Sequence, residues 1–340
     1  MPFSDLRHPL MLAPMAGVTD YAFRTVCRAQ GAEYTVSEMI SAKALVYEQR
    51  SRRARATGSA PLAAIRPGEH HHALQLFGSE PDFMAEAARL LASGEYLGAV
   101  AGEKPAAIDI NMGCPVPKVA GNGEGSALMR DPARAAAIVR AVADAVRLPV
   151  TVKIRSGWDE NSINAPEFAR AMADAGAAAI CIHARTRKQM YAPSADYAVI
   201  AAVKRAVDVP VIGNGDIASA ADLRRMAEVS GCDGYMIGRG AQGNPWLFAE
   251  LAAALEGREW TPPTPAERMD TARTHLRLLV EDKGEAVAVR EARKHMAWYI
   301  HGIPGAAAAR AAVMRAERMC EMEEIMEELL GALPPDPHKG

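Results

Sequence analysis

A few short stretches end apolar runs with side chains able to do chemistry. Lys153 sits in VTVKIRSG (150–157), a run otherwise apolar, where a buried ammonium needs a negative partner. Such a lysine acts as a paired core cation, as a cation for a cofactor, or as a Schiff-base amine of lowered pKa. His183 and Arg185 close AAICIHAR (178–185), and that placement beside an arginine favours a site over a lone core histidine. Cys114 lies in NMGCP, three residues after Asn111. Gly113 permits a sharp turn and Pro115 fixes the following backbone, so a rigid loop presents the thiol for proton donation or for addition to an electrophile. Cys27, Cys181 and Cys232 stand in apolar or helical contexts, where free cysteine behaves as a small hydrophobe.

Two glycine turns, GNGD (213–216) and GRGAQG (238–243), contribute Asn214, Gly215, Asp216, Gly238 and Arg239. GRGAQG spells G-x-G-x-x-G, the dinucleotide fingerprint, but that motif opens a βαβ unit and is followed by a further strand with an acidic residue about 20 positions on. Here a helix and a proline-rich junction come next. The two turns instead read as halves of one phosphate cup, made of backbone N–H groups and the start of a short helix.

The elements that hold these residues emerge from the apolar pattern. Strand-like runs recur at 9–15, 32–39, 73–78, 106–113, 150–157, 178–185, 209–216 and 234–240, separated by alanine-rich segments with charges at helical spacing. Eight βα units predict a (β/α)8 barrel, an α/β fold of about 250 residues whose active site lies at the C-terminal ends of the strands. Asn111, Cys114, Lys153, Arg155, His183, Arg185, Asn214, Asp216 and Arg239 all fall at such ends. The expected organisation is a catalytic barrel over 1–249, a linker at 250–263 that runs into the proline-rich REWTPPTPAERM junction, a smaller all-helical domain over 264–330, and a tail at 331–340.

Bulk composition narrows the class. The chain has 340 residues, 49% of them apolar, enough for a large core. No signal-peptide layout opens it and no uncharged apolar run reaches about 18 residues, so the expectation is a cytoplasmic protein without membrane segments. The five cysteines form no C-x-x-C pair, which speaks against a disulfide framework or a zinc cluster. A net charge of −2 gives no global sign of nucleic-acid binding. Local features are mixed. Arg50, Arg52, Arg53 and Arg55 cluster in YEQRSRRAR, and REARKHMAWYIHG sets Arg290, Arg293, Lys294, His295 and His301 among Trp298 and Tyr299, a mixture that grips RNA or forms a solvated helix with inward aromatics. The run His70, His71, His72 reads as a surface loop, because adjacent residues do not easily face one ion.

APMAGVTDYAFR, SEMISAKAL, QLFG, DINMGCPVPKV, GSALMRDP, VTVKIRSGW, IHARTR, PVIGNGDI, MIGRGAQGNPWLF and REARKHMAWYIHGIPGA, in this order from about residue 11 to 320, resemble the tRNA-dihydrouridine synthases, most of all their bacterial B-type branch. The resemblance implies a flavin mononucleotide (FMN) oxidoreductase that reduces the C5–C6 double bond of uridine in the tRNA D-loop, with NADPH or NADH as transient reductant. It implies a helical C-terminal domain that docks the RNA and a monomer that needs no protein partner. By motif, Pro14, Met15 and Ala16 lie against the flavin, Gln75, Lys153 and His183 contact its ring, and Asn214, Gly215, Asp216, Gly238 and Arg239 hold its phosphate. Cys114 becomes the general acid, with Asn111 and Arg185 on the uracil; no metal is implied. The chain departs from the family pattern at Val116, Pro117 and AGNGE (120–124), where more basic residues are common, at Ala184, where glycine is commoner, and at 96–105, which reads as an insertion. Two other readings compete. One is a Schiff-base aldolase or lyase using Lys153 on a phosphorylated substrate, and the other a non-catalytic RNA-binding barrel.

Overall fold

The computed structural model describes residues 3, 5–51, 58–94, 96 and 103–333. Arg52, Arg53 and Arg55, most of the 96–105 segment and most of the 331–340 tail lie outside the described residues. The strands are β1 (Leu10–Leu12), β2 (Tyr34–Val36), β3 (Ile40–Ser41), β4 (His72–Phe77), β5 (Ala107–Met112), β6 (Val150–Arg155), β7 (Ala179–His183), β8 (Val211–Asn214) and β9 (Gly234–Ile237). The helices are α1 (Tyr21–Ala29), α2 (Ala42–Ser51), α3 (Ala60–Ala63), α4 (Pro81–Ser93), α5 (Pro117–Ala120), α6 (Pro132–Ala145), α7 (Ala165–Asp174), α8 (Tyr197–Ala206), α9 (Ala220–Ser230), α10 (Leu247–Leu255), α11 (Pro265–Lys283), α12 (Glu285–Tyr299), α13 (Ala306–Val313) and α14 (Met319–Gly331). The chain divides into two compact units, Met1–Asp20 with Ala32–Gly238, and Tyr21–Gly31 with Arg239–Gly340.

The first unit is the barrel. Its strands run parallel in the order β2-β1-β9-β8-β7-β6-β5-β4-β3, and a β2–β4 pairing closes the ring. Eight barrel positions are thus filled by nine strands, because the second position is interrupted. β2 pairs with β4 at Thr35↔His72 and Val36↔Ala73, and β3 pairs with it at Ile40↔Leu76 and Ser41↔Phe77. Between them the Ser37 hydroxyl, 2.9 Å from the Gln75 backbone N, takes the N–H that a strand carbonyl would otherwise accept. The single strand expected over 32–39 is therefore split at its serine.

Helix boundaries obey familiar capping chemistry. Asp131 caps α6 by accepting from the Arg134 N–H at 3.0 Å, with Pro132 in the first turn, and Ser219 caps α9, which ends on left-handed Gly231. One expectation changes here. His72 lies within β4 rather than in a surface loop, almost wholly buried, with Nδ1 2.9 Å from the Thr35 hydroxyl. The apolar neighbours ALQLF draw it into the strand.

The second unit is helical and includes α1 as well as α10–α14. A capping box between Thr264 and Glu267, with Pro265 next, starts α11 directly out of the proline-rich junction. Its core gathers Trp246, Met269, Leu276, Met296, Tyr299 and Met322. Phe23 of α1 stacks on His275 at 5.6 Å, and His275 meets His295 edge-on at 4.5 Å. His295 is 1% exposed, and neither ring nitrogen has a hydrogen-bond partner among the described residues. No helix among the described residues is long and apolar enough to cross a membrane.

This histidine sets a pH limit. Burial first, then the neighbouring His275, Lys294 and Lys283, hold the His295 pKa well below its usual value, so the folded state keeps it neutral. The unfolded chain protonates near pH ~6.5, and below that each pH unit favours unfolding by about 1.4 kcal/mol until the depressed folded pKa is reached. His295→Phe is expected to flatten this acid slope in melts recorded across pH 7 to about pH 5; parallel pH profiles in both proteins would rule it out.

Candidate active site

Strand parity builds the site. Met11, Ala73, Ala107, Cys181, Ile212 and Met236 form an apolar ring inside the barrel. Side chains two residues along a strand share its face, so the next inward positions are Ala13, Gln75, Asp109, His183, Asn214 and the residue after β9, Gly238. On β6 the same face carries Thr151, Lys153 and Arg155, in register with Asp109, Asn111 and His183 respectively. The barrel interior thus turns from apolar to polar toward the C-terminal ends of its strands.

A hydrogen-bond chain orders the polar half. Asp109 is buried, and its carboxylate accepts from Gln75 Nε2 at 2.6 Å and from the Thr151 hydroxyl at 2.5 Å. Burial raises its pKa to about 6, against the opposing pull of those two bonds and of Lys153, so it is ionised at pH 7 and only accepts. That fixes the Gln75 amide with its nitrogen toward Asp109. Gln75 Oε1 then accepts from Asn111 Nδ2 at 2.9 Å, and Asn111 Oδ1 accepts from the backbone N–H groups of Gly113 at 3.2 Å and Cys114 at 2.9 Å. The carboxylate at one end and the backbone N–H groups of the cysteine loop at the other thus impose the same polarity on the chain between them.

Cys114 is itself buried, at 9% exposure. Desolvation pushes its thiol pKa up, against the backbone bond from Val116 and the charges of Arg155 and Lys153, so sulfur keeps its proton at neutral pH. Arg155 braces the loop from below by donating to the Gly113 carbonyl at 2.9 Å, and it donates to the Thr186 and Met190 carbonyls as well. Gly125 closes over it: with φ +57°, a Cβ there would come within 3.1 Å of Cys114 Cβ.

Lys153 donates to Asn214 Oδ1 at 3.0 Å, and Asn214 Nδ2 donates to the Met236 carbonyl at 2.6 Å. Lys153 forms no ion pair among the described residues, and desolvation lowers its pKa more than Cys181, Asp109 and Cys114 raise it. Arg185 is buried and paired with Asp216 at 2.5 Å, donates to the Pro193 carbonyl at 2.5 Å, and lies 3.3 Å from His183 Nε2. The Asp216 carboxylate also takes the Ala195 N–H, which turns it away from any anion in the GNGD turn. Gly215, at φ +130°, has no room for a side chain, since a Cβ would lie 2.8 Å from that of Ala195.

The sequence-predicted residues of the first unit are therefore gathered at one end of the barrel. Pro14, Met15 and Ala16 come after β1, with the Thr19 hydroxyl 2.9 Å from the Met15 nitrogen, and Met15 Sδ lies 3.7 Å from where a Gly238 side chain would begin. Arg239 comes after Gly238 as the first residue of the second unit's long C-terminal part, exposed at the start of a 3-10 turn (Arg239–Ala241). In the REARKHMAWYIHG stretch, His295 and Tyr299 are buried and Arg293 binds the Ala316 carbonyl, so the inward-aromatic reading holds for these three. Arg50 is exposed and paired with Glu86 at 2.6 Å. Sequence reasoning misses Asp109 and Thr151. The parity of Asn111 and Lys153, two positions on, is the signal that could find them.

Comparison with known proteins gives the family. The family model described as dihydrouridine synthase matches residues 11–333. A probable tRNA-dihydrouridine synthase of Rhodobacter capsulatus is 45% identical over 312 residues, covering 92% of this chain and 90% of that protein. One of Rickettsia conorii is 42% identical over 310 residues, with 91% and 89% covered. A tRNA-dihydrouridine synthase B of Pseudomonas aeruginosa is 42% identical over 303 residues, with 88% and 86% covered.

Asp109→Asn replaces a carboxylate that accepts from both neighbours by an amide with one acceptor, removes the charge facing Lys153, and makes the Thr151 hydroxyl turn from donor to acceptor. At pH 7 the expected loss is about 1–3 kcal/mol, read as a lower urea midpoint with an unchanged slope. An unchanged midpoint would show that a neutral amide serves the chain as well as the carboxylate.

Proposed function

The chain belongs to the dihydrouridine synthase family, and from that membership we propose that it reduces the C5–C6 double bond of uridine in the tRNA D-loop to 5,6-dihydrouridine, with FMN in the barrel mouth and NADPH or NADH as reductant. The observation that carries the reading is the joint presence, at one end of the barrel, of a protonated thiol and an ammonium that has only an amide as acceptor. Membership supports this reading of Lys153 against the Schiff-base one.

The residues fit a flavin. A partly buried lysine held by Asn214 alone is poorly compensated for its desolvation, and the electron-rich edge of a flavin ring would complete its surroundings. Pro14, Met15 and Ala16 would back the ring, and Gln75 and His183 would line it; Gln75 keeps one N–H and one lone pair beyond its bonds to Asp109 and Asn111. For the phosphate, backbone is the better match than side chain: Asn214 is held by Lys153 and Met236 and Asp216 by Arg185, which leaves the task to the main chain of Gly215, Asp216 and Gly238, with Arg239 next along the chain. Bound there, a flavin would supply the hydride for the uracil double bond.

The chain's own residues do the rest. Cys114 holds a proton on Sγ and delivers it to C5, and the raised pKa keeps that proton in place until it is needed. Asn111 fixes the Cys114 backbone and, with Arg185, contacts the uracil. The helical unit over 264–330 docks the RNA. On this reading the protein works in the cytoplasm as a monomer.

The expected preparation is yellow, absorbing near about 450 nm from bound flavin. Cys114→Ala is expected to keep the flavin and its reduction by NADPH, while dihydrouridine formation on unmodified tRNA falls by about 10²–10⁴-fold. Wild-type product yield from that variant would remove Cys114 as proton donor, and a colourless protein that still makes dihydrouridine would remove the flavin.

A further inference from the structure

Outside the polar interior, the same end of the barrel holds an arrangement that none of the roles above uses. Trp158 lies just after β6, and two guanidiniums share its ring: Arg130 lies 5.0 Å and Arg187 4.8 Å from the ring centre. Neither arginine forms an ion pair among the described residues, and Arg187 Nε is buried with no hydrogen-bond partner among them. Two like charges are therefore held no further apart than the sum of those distances, comparable to the screening length of about 8 Å in physiological salt. The contact with the indole offsets part of that repulsion, at about 0.5–2 kcal/mol each, and the guanidinium N–H donors of both groups have no hydrogen-bond partner among the described residues.

The platform is rigid. Backbone bonds from Arg187 N to the Gly157 carbonyl at 2.9 Å and from Lys188 N to the Trp158 carbonyl at 3.1 Å zip the loop after β6 to the loop after β7. Arg130 ends the 3-10 turn Gly125–Arg130, whose Ser126 N–H binds the Cys114 carbonyl at 3.1 Å. The clamp therefore joins the loop that carries Cys114 to the loop beyond His183. A fixed pair of unneutralised guanidiniums beside a site is the geometry that suits a phosphodiester, which accepts a fork of two N–H donors and lowers the repulsion between the charges.

We infer that Arg130 and Arg187, spaced by Trp158, grip the phosphate backbone of the RNA strand next to the uridine being reduced. This rests on the reading of tRNA as substrate. A phosphate contact positions the strand without reading its bases, so the clamp supplies affinity and register to whichever uridine enters.

The test is binding of an unmodified tRNA transcript to the full-length protein, by fluorescence anisotropy, over about 50 to about 200 mM salt. Arg130→Met and Arg187→Met keep the aliphatic stem on Trp158 and remove the charge. Each is expected to weaken binding about fivefold to tenfold and to make the slope of log affinity against log salt shallower by about 0.7–0.9. Arg187→Lys should recover most of that slope, which a packing role alone would not do. Arg205→Met, in the last turn of α8, should match the wild type. Wild-type affinity and slope in both methionine variants would overturn the clamp while leaving the tRNA reading intact. Wild-type protein that does not bind tRNA would overturn both.

Discussion

The buried carboxylate of Asp109 is the constraint on which the site depends. It is placed where water is excluded, so it must find donors, and it finds two, on β4 and β6. Because it only accepts, each amide beyond it has one allowed orientation: Gln75, then Asn111, then the backbone of the cysteine loop. The backbone N–H groups of Gly113 and Cys114 demand the same orientation from the other end, so a neutral residue at 109 would weaken the hold on Gln75 and leave the Asn111 amide as it is. The same charge offsets part of the desolvation of Lys153, two residues from Thr151 on the same face. Fixed geometry and electrostatics here have one source.

Much of the architecture is legible in the sequence because the barrel repeats one unit. Alternation of apolar runs with alanine-rich helices predicts the eight barrel positions, and placement at strand ends predicts which polar residues meet. The roles of individual atoms are less legible. Asn214 and Asp216 read as phosphate contacts from their glycine turn, yet their side chains lie on Lys153 and Arg185, partners 61 and 31 residues away in sequence. Such pairings depend on barrel stagger, which no local pattern encodes. The split between β2 and β3 is hidden for the same reason: Ser37 breaks the strand only because Gln75 comes opposite it. His72 is misplaced by a local reading because three histidines in a row look solvated, while the apolar run after them carries the last one into the sheet.

The helical unit shows the opposite balance. Its caps are legible, since Thr264, Pro265 and Glu267 are a local signature, but its core is not. The REARKHMAWYIHG stretch reads on paper either as an RNA-gripping mixture or as a solvated helix with inward aromatics, and in the fold its His295 and Tyr299 lie in an aromatic interior with Phe23 and His275.

The grouping of α1 with the C-terminal helices bears on how the protein is made. The chain enters the helical unit at Tyr21, leaves it at Gly31, and returns only at Arg239. During synthesis α1 therefore emerges long before α11 exists, and Ala22, which belongs to the core with Met269 and Leu276, waits for its neighbours while the strands of the barrel are added. The two units are not successive beads on the ribosome's thread. A chain cut after Gly238 would carry an orphaned helix between its first two strands, so the catalytic barrel has no natural point at which it can be severed from the C-terminal helices.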